Sequence, residues 1–214
     1  SSNYRAIIDQ IGKRNYLDLD QMSGSNAVID QLGNDNRAVI DQFGPSYWNQ
    51  NPDLKGAILT QEGSGNEFYG ITWKKDNVAG LNQAVSISEQ LGNNNRILLQ
   101  QSSINNAYLT QNGNRNTINA FQDELINYDD KENYEVTHML DVYQYGNNNI
   151  VNSYQGGNNN EAHIVQGKAI NSEEENYSHG WYKSTRNVAN LTQESEDNFA
   201  VIAQYGNANT ATVE

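Results

Sequence analysis

The chain has 214 residues, of which 36% are apolar and 18% charged, with no cysteine and a formal net charge of −13 at pH 7. That charge argues against nucleic acid and anionic membrane surfaces as partners, because phosphate binding relies on Lys and Arg. The lack of Cys excludes a disulfide scaffold and thiolate chemistry. No apolar run is long enough to cross a membrane, and an apolar share below that of ordinary globular chains leaves too little for a conventional oily core.

From the N-terminus onward one position recurs in phase: Gln10, Gln21, Gln31, Gln42, Gln61, Thr72, Gln90, Gln101, Gln111, Gln122, Asn133, Gln144, Gln155, Gln166, Tyr182, Gln193 and Gln204. Six residues before it stands a second marked position, usually Asn, and the residues between alternate, as in Asn36-Arg-Ala-Val-Ile-Asp-Gln42 and Asn198-Phe-Ala-Val-Ile-Ala-Gln204. Period two predicts a strand. The third and fifth residues of each segment, such as Leu17 and Leu19, Ala38 and Ile40, Ile97 and Leu99, are mostly aliphatic. They mark the core face, which carries the fixed Asn and Gln inward with it.

The connections sort these strands into pairs. Every second one, starting with Gln10 to Asn15, spans the same five residues and usually carries a glycine two after the Gln: Gly12, Gly33, Gly63, Gly92, Gly113, Gly157 and Gly206. A repeated tight turn needing positive φ explains those glycines. The connections between them vary in length, which predicts that insertions leave from one edge only. The reading is all-β: a flattened two-sheet β-solenoid of nine two-strand rungs at 4–21, 25–42, 55–72, 84–101, 105–122, 127–144, 149–166, 176–193 and 198–214. Rungs of about 22 residues stacked about 4.8 Å apart make a cross-β rod roughly 43 Å long with uncapped ends. The whole chain, 1–214, reads as one such domain with edge loops at 43–54, 73–83 and 167–175.

In such a stack each inward amide lies over its counterpart in the next rung, donating one way and accepting the other, so that a ladder satisfies what a lone buried amide cannot. The expected ladder members are Gln10, Asn15, Gln21, Gln31, Asn36, Gln42, Gln61, Asn66, Gln90, Asn95, Gln101, Gln111, Asn116, Gln122, Gln144, Asn149, Gln155, Asn160, Gln166, Asn187, Gln193, Asn198, Gln204 and Asn209.

The pattern Gln-x-Gly-x-x-Asn-x-Ala-x-x-x-Gln, seen as Gln31-Leu-Gly33-Asn-Asp-Asn36-Arg-Ala38-Val-Ile-Asp-Gln42, resembles the curlin repeat of bacterial curli subunits. The resemblance implies a secreted subunit that leaves the cell unfolded through an outer-membrane pore, is nucleated at the cell surface by a nucleator subunit, and polymerises with itself into an extracellular amyloid fibre of the biofilm matrix. The chain departs from that family in its number of rungs and its long loops, and it starts almost on the first strand, without the leader and export segment the family carries. Its place as major subunit or as minor nucleator stays open.

Several residues outside the ladder invite a function. Trp48 and Trp73, on loops leaving successive rungs, form a contact patch for glycan or protein, or simply cover the edge. Asp9 and Asp30 share one outward column, and Asp20 and Asp41 another. Like charges so placed act as gatekeepers against premature aggregation or offer oxygens to Ca²⁺. The sixth rung places Asp129, Lys131, Asn133 and His138 in core slots, making it either a soft, pH-sensitive rung or a drifted repeat. No arrangement of His138, His163 and His179 with Ser or acid suggests catalysis, and no cofactor is implied. Besides a fibre subunit, a monomeric β-solenoid adhesin or ice-binding module fits the pattern, but the central outward column, Ile7, Val28, Ile58, Ile87, Tyr108, Asp130, Asn152, His179 and Val201, lacks the regular Thr of an ice face.

Overall fold

The structure, a computed structural model, describes residues 5–21, 26–42, 56–72, 85–101, 105–124, 138–157, 159–167, 184–195 and 197–214. Among them every regular element is a strand: β1 Arg5–Lys13, β2 Tyr16–Gln21, β3 Asn26–Asn34, β4 Arg37–Gln42, β5 Gly56–Ser64, β6 Glu67–Thr72, β7 Val85–Asn93, β8 Arg96–Gln101, β9 Asn106–Asn114, β10 Thr117–Glu124, β11 Met139–Asn147, β12 Ile150–Gly157, β13 Glu161–Gln166, β14 Ser184–Thr185, β15 Val188–Gln193, β16 Phe199–Gln204 and β17 Thr210–Val213. The first sheet runs β1-β3-β5-β7-β9-β11-β13-β16, with β14 beside β11, and the second runs β2-β4-β6-β8-β10-β12-β15-β17. All pairings are parallel and follow the repeat, Gln10 over Gln31 over Gln61, and Gln21 over Gln42.

The two-sheet solenoid stands, but it has eight rungs among the described residues, where the repeat count predicts nine. Gln111 pairs with Gln144 directly, and Gln122 with Gln155. The register therefore passes over the expected strand at 127–133. It does so again at 176–182, because Gln155 pairs with Gln193 and Gln166 with Gln204. Both segments, with Asp129, Lys131, Asn133 and His179, lie outside the described residues. Their letters explain why they are poor rung material. The first would turn Asp129 and Lys131 into the core, and burying charge is costly. The second would offer the core only Ser178 and Gly180.

Skipping one strand changes the side on which the following ones fall. Gln144 and Gln166, expected in the second sheet, lie in the first, and Gln155, expected in the first, lies in the second. Gly157 accordingly leaves the glycine column and Gly146 takes its place over Gly113. The expectation that insertions leave from one edge is corrected as well. Residues 43–55, 73–84 and 125–137 lead from the second sheet back to the first, whereas 168–183 lie between β13 of the first sheet and β15 of the second. The expected loops, with Trp48 and Trp73, fall outside the described residues except for Gly167.

The alternation predicts the burial. Ile29, Leu59, Leu109, Val142 and Ile164 line the inner face of the first sheet, and Ala38, Ile40, Ile97, Leu99, Ile118 and Leu191 that of the second. Fully burying a Leu or Ile side chain contributes roughly 1.5–3 kcal/mol. Bulk is shared across a rung: Phe68 fills the space that a side chain at Gly70 would need, since a Cβ there would stand 2.5 Å from the Phe68 ring. The turn glycines are needed for a different reason. At Gly113 φ is +134°, and a Cβ would sit 1.8 Å from the carbonyl oxygen of Gly146 in the next rung.

Candidate functional site: amide ladders and their open edges

The first sheet carries one unbroken file of glutamines. Gln10 donates through Nε2 to Oε1 of Gln31, and the file continues Gln31 to Gln61 (2.8 Å), Gln61 to Gln90 (2.8 Å), Gln90 to Gln111 (3.0 Å), Gln111 to Gln144 (2.9 Å), Gln144 to Gln166 (2.9 Å) and Gln166 to Gln204 (2.8 Å). From Gln31 onward the second hydrogen of each amide crosses the core to a carbonyl of the other sheet, as in Gln61 to Arg37 O (3.2 Å) and Gln166 to Ile150 O (3.0 Å). Each buried glutamine is thereby satisfied along the axis and across it. The second sheet has a broken version. Gln21 donates to Gln42 (3.0 Å), Thr72 stands next in register, and the file resumes from Gln101 through Gln122 and Gln155 to Gln193 at 2.9–3.0 Å.

The asparagines form a ladder of another kind from the amide-to-amide file that spacing suggests. At the turn between sheets, each Oδ1 accepts the backbone N–H of the next asparagine: Asn15 from Asn36, Asn36 from Asn66, Asn66 from Asn95, Asn95 from Asn116, Asn116 from Asn149, Asn149 from Asn187 and Asn187 from Asn209, at 2.9–3.2 Å. Nδ2 donates to the turn glycine of the next rung, for example Asn95 to Gly113 O (2.9 Å) and Asn116 to Gly146 O (2.9 Å). Asn is required because its side chain imitates a peptide group one strand spacing away, which a longer Gln would overshoot.

The expected partners of Asn160 and Asn198 are corrected with the sheets. Both lie on the opposite edge, in a file Asn105, His138, Asn160, Asn198. Asn105 Oδ1 accepts from His138 N (3.0 Å), His138 Nδ1 from Asn160 N (3.2 Å), and Asn160 Oδ1 from Asn198 N (2.9 Å). His138 is fully buried, and its Nε2 lies 3.3 Å from Asp123 O. A ring nitrogen that accepts a peptide N–H carries no proton, so the imidazole is neutral, with Nδ1 in the role of the asparagine oxygen and Nε2–H in that of its amide. Burial pushes its pKa below the usual value, against several backbone hydrogen bonds that act the other way. The place of Asn105 and His138 in this file is not visible from the glutamine spacing, since it depends on which edge each repeat reaches.

Outside the core, Asp9 stands over Asp30 on the first sheet and Asp20 over Asp41 on the second. The Asp41 carboxyl is held above its usual range by burial, then by Asp20 and Asp18. Two carboxylates in a column are few for a Ca²⁺ site, and among the described residues no group of three or more His, Asp or Glu side chains is placed to hold a metal ion. The central outward column of the first sheet reads Ile7, Val28, Ile58, Ile87, Tyr108, Asp141, His163, Val201, so Asp141 and His163 stand where Asp130, Asn152 and His179 are expected. His163 reaches Asp141 Oδ2 (2.9 Å) with one ring nitrogen and Glu161 Oε1 (2.6 Å) with the other, tying β11 to β13.

The edges complete the site. Among the described residues no strand covers the outer side of β1 and β2 or of β16 and β17. Ile8, equivalent to the fully buried Ile29, is 48% exposed. Each kind of inter-rung bond keeps its own direction, the Gln amides donating toward the later rung and the Asn backbone N–H groups toward the earlier one, so the two edges differ in kind. The last rung offers Gln204 Nε2, the Asn209 side chain and the Thr210 N–H, whose counterpart at Val188 donates to Asn209 O (2.8 Å). The first rung offers Gln10 Oε1, Gly12 O and the N–H and C=O of Asn15.

The profile of the Curlin associated repeat matches residues 5–44 and 185–214, which hold the first two rungs, and the last rung with β15 of the rung before it. The chain thus carries the curlin repeat at both ends of the described stack. No curated protein and no solved structure matches it at a significant level. The ladder described above is what these repeats build here.

Proposed function

We propose that the chain is a structural subunit of an extracellular, curli-like amyloid fibre of the biofilm matrix, with residues 1–214 acting as one domain. It grows head to tail: the last rung of one copy templates the first rung of the next, which folds upon it. The observation that carries this reading is the complementarity of the two edges. Superposing the repeat across a junction sets Gln204 against Gln10, Ile202 against Ile8, Gly206 against Gly12 and Asn209 against Asn15 of the next copy, and each is the pair already seen inside the stack. A head-to-tail contact that does not close makes a filament, and an unpaired strand edge recruits a further strand. The same reading supplies the partners: further copies of this chain, a nucleator subunit, and an outer-membrane pore for export to the cell surface.

Electron microscopy of the purified chain after incubation tests it, with Thr210→Pro and Thr212→Pro in β17 as the variant. Proline on an outward-facing edge position is tolerated by the fold but removes the donors offered to the next copy. Wild type should give filaments, and the variant should give folded subunits that neither elongate nor extend wild-type seeds. Persistent wild-type monomers would favour the adhesin reading.

A further inference from the structure

Both sheets turn an outer face to solvent, and these faces differ in charge. On the second sheet the outward residues of β10, β12 and β15 form a grid without one charge: Thr117, Asn119 and Phe121, then Ile150, Asn152 and Tyr154, then Val188, Asn190 and Thr192. Its middle column is a third amide ladder, which the core pattern does not announce, with Asn119 donating to Asn152 (2.9 Å) and Asn152 to Asn190 (2.9 Å). These amides bond along the axis and leave a flat surface, the kind that pairs with its own copy in cross-β packing. Tyr154 stays 39% exposed on it.

The borders of the grid are charged, with opposite signs on opposite sides. Arg115 and Arg186 stand at the turn before β10 and β15, and Asp123 and Glu194 at the far end of the same two strands. All four are exposed, and none makes an ion pair with a described residue. Asn119 lies midway between Arg115 and Asp123, and Asn190 midway between Arg186 and Glu194. A twofold axis along the fibre, passing over the asparagine ladder, therefore sets each Arg of one copy opposite the acid of the same rung in the second copy. The same operation brings Arg37 to the second copy's Asp41 and leaves Asp18, Val39, Tyr69 and Leu98 on the axis, so that Asp18 of the first rung meets its own copy and the favourable contact lies in the later rungs. The first sheet does not allow this. Its aliphatic column runs into Asp141 and is bordered by Asp9, Asp30 and Glu89, with Arg5 as the one Arg or Lys in the facing columns.

We propose that two parallel filaments of this chain pair face to face through the outer surface of β10, β12 and β15, about a twofold axis on the Asn119, Asn152, Asn190 ladder, with Arg115 and Arg186 of each set against Asp123 and Glu194 of the other. The inference rests on the fibre reading above. One such patch is far smaller than a stable dimer interface, so monomers stay apart. Along a filament it recurs once per subunit, and the contacts add through multivalency.

Filaments of three variants test it by negative-stain microscopy at low salt, with thioflavin fluorescence following growth. Arg115→Glu with Arg186→Glu makes both borders acidic, and the structure accepts an acid at this turn, as Asp35 shows at φ 58°. Asp123→Arg with Glu194→Arg makes both borders basic. Each alone should still grow into filaments, more slowly for the acidic set and faster for the basic one as net charge dictates, but show roughly tenfold fewer side-by-side pairs per length of filament. Mixing the two sets of preformed filaments, or combining all four changes in one chain, should restore pairing. Pairing that is indifferent to the double changes, or not restored by the fourfold one, overturns the proposal while leaving the fibre standing. A wild type that makes no filaments overturns the fibre reading itself, and this one with it.

Discussion

A buried amide here is stabilising only because its neighbours are amides too. In Gln111→Ala, Gln90 Nε2 would lose its acceptor, Gln144 Oε1 its donor and Arg96 O its cross-core partner. Unsatisfied groups and the cavity together should cost about 3–5 kcal/mol in chemical denaturation. The same change at Gln10 should cost much less, because that position has a neighbour on one side only among the described residues. His138 is the position where the ladder titrates. Its folded pKa lies below the ordinary 6.5, so its contribution is complete above 6.5 and is lost as the pH falls from there through the lowered value. His138→Asn puts back the residue found at the flanking ladder positions and should be as stable at pH 7. The difference between the two proteins should open only below about pH 6.5, with wild type the weaker. Taking the difference removes the opposite trend from Asp41 and Asp141, whose carboxyls burial holds above their usual range.

At the scale of the strand and its turn, the repeat is held by close approach. β1 and its counterparts continue past the glutamine through the glycine, because the glycine carbonyl still receives the asparagine amide of the rung before. Gly113→Ala would drive a methyl into the Gly146 carbonyl at a φ that L-residues rarely adopt. It should destabilise by about 3 kcal/mol or more, visible as a lower denaturation midpoint. Ala208 holds φ 59° at the last turn with room around it. There Ala208→Gly should stabilise by about 0.5–1 kcal/mol. The paired outcomes separate the two demands placed on these turns, since one glycine is needed for space and conformation together and the other site asks for conformation alone.

For the whole molecule, the stack sets axial attraction against the repulsion of a chain carrying −13 charges. Raising the ionic strength from about 0.01 M to about 0.15 M should therefore shorten the lag before filaments appear, since it cuts the screening length from about 30 Å to about 8 Å. The folded rung, held by neutral amides, should change little in stability over the same range.

Much of this was legible in the linear order of residues. Alternation marks the core face, because side chains on a strand point to opposite sides, and a fixed amide at an inward position has one cheap solution, a stacked neighbour of its own kind. The glycines likewise announce the turn that needs them. What the letters leave open is which repeats enter the stack. The strands around Gln144, Gln155 and Gln166 carry the same signature whichever sheet they join, and the segments ending at Asn133 and Tyr182 keep the spacing while lacking the inward aliphatics. Only pairing against the rungs on either side settles it: a rung is stable through contacts with its neighbours, so a segment in phase is passed over when the next one buries more and strands fewer charges. That step moved three glutamines to the opposite sheet, put His138 into the asparagine file, and aligned Asn119, Asn152 and Asn190 on one outer face.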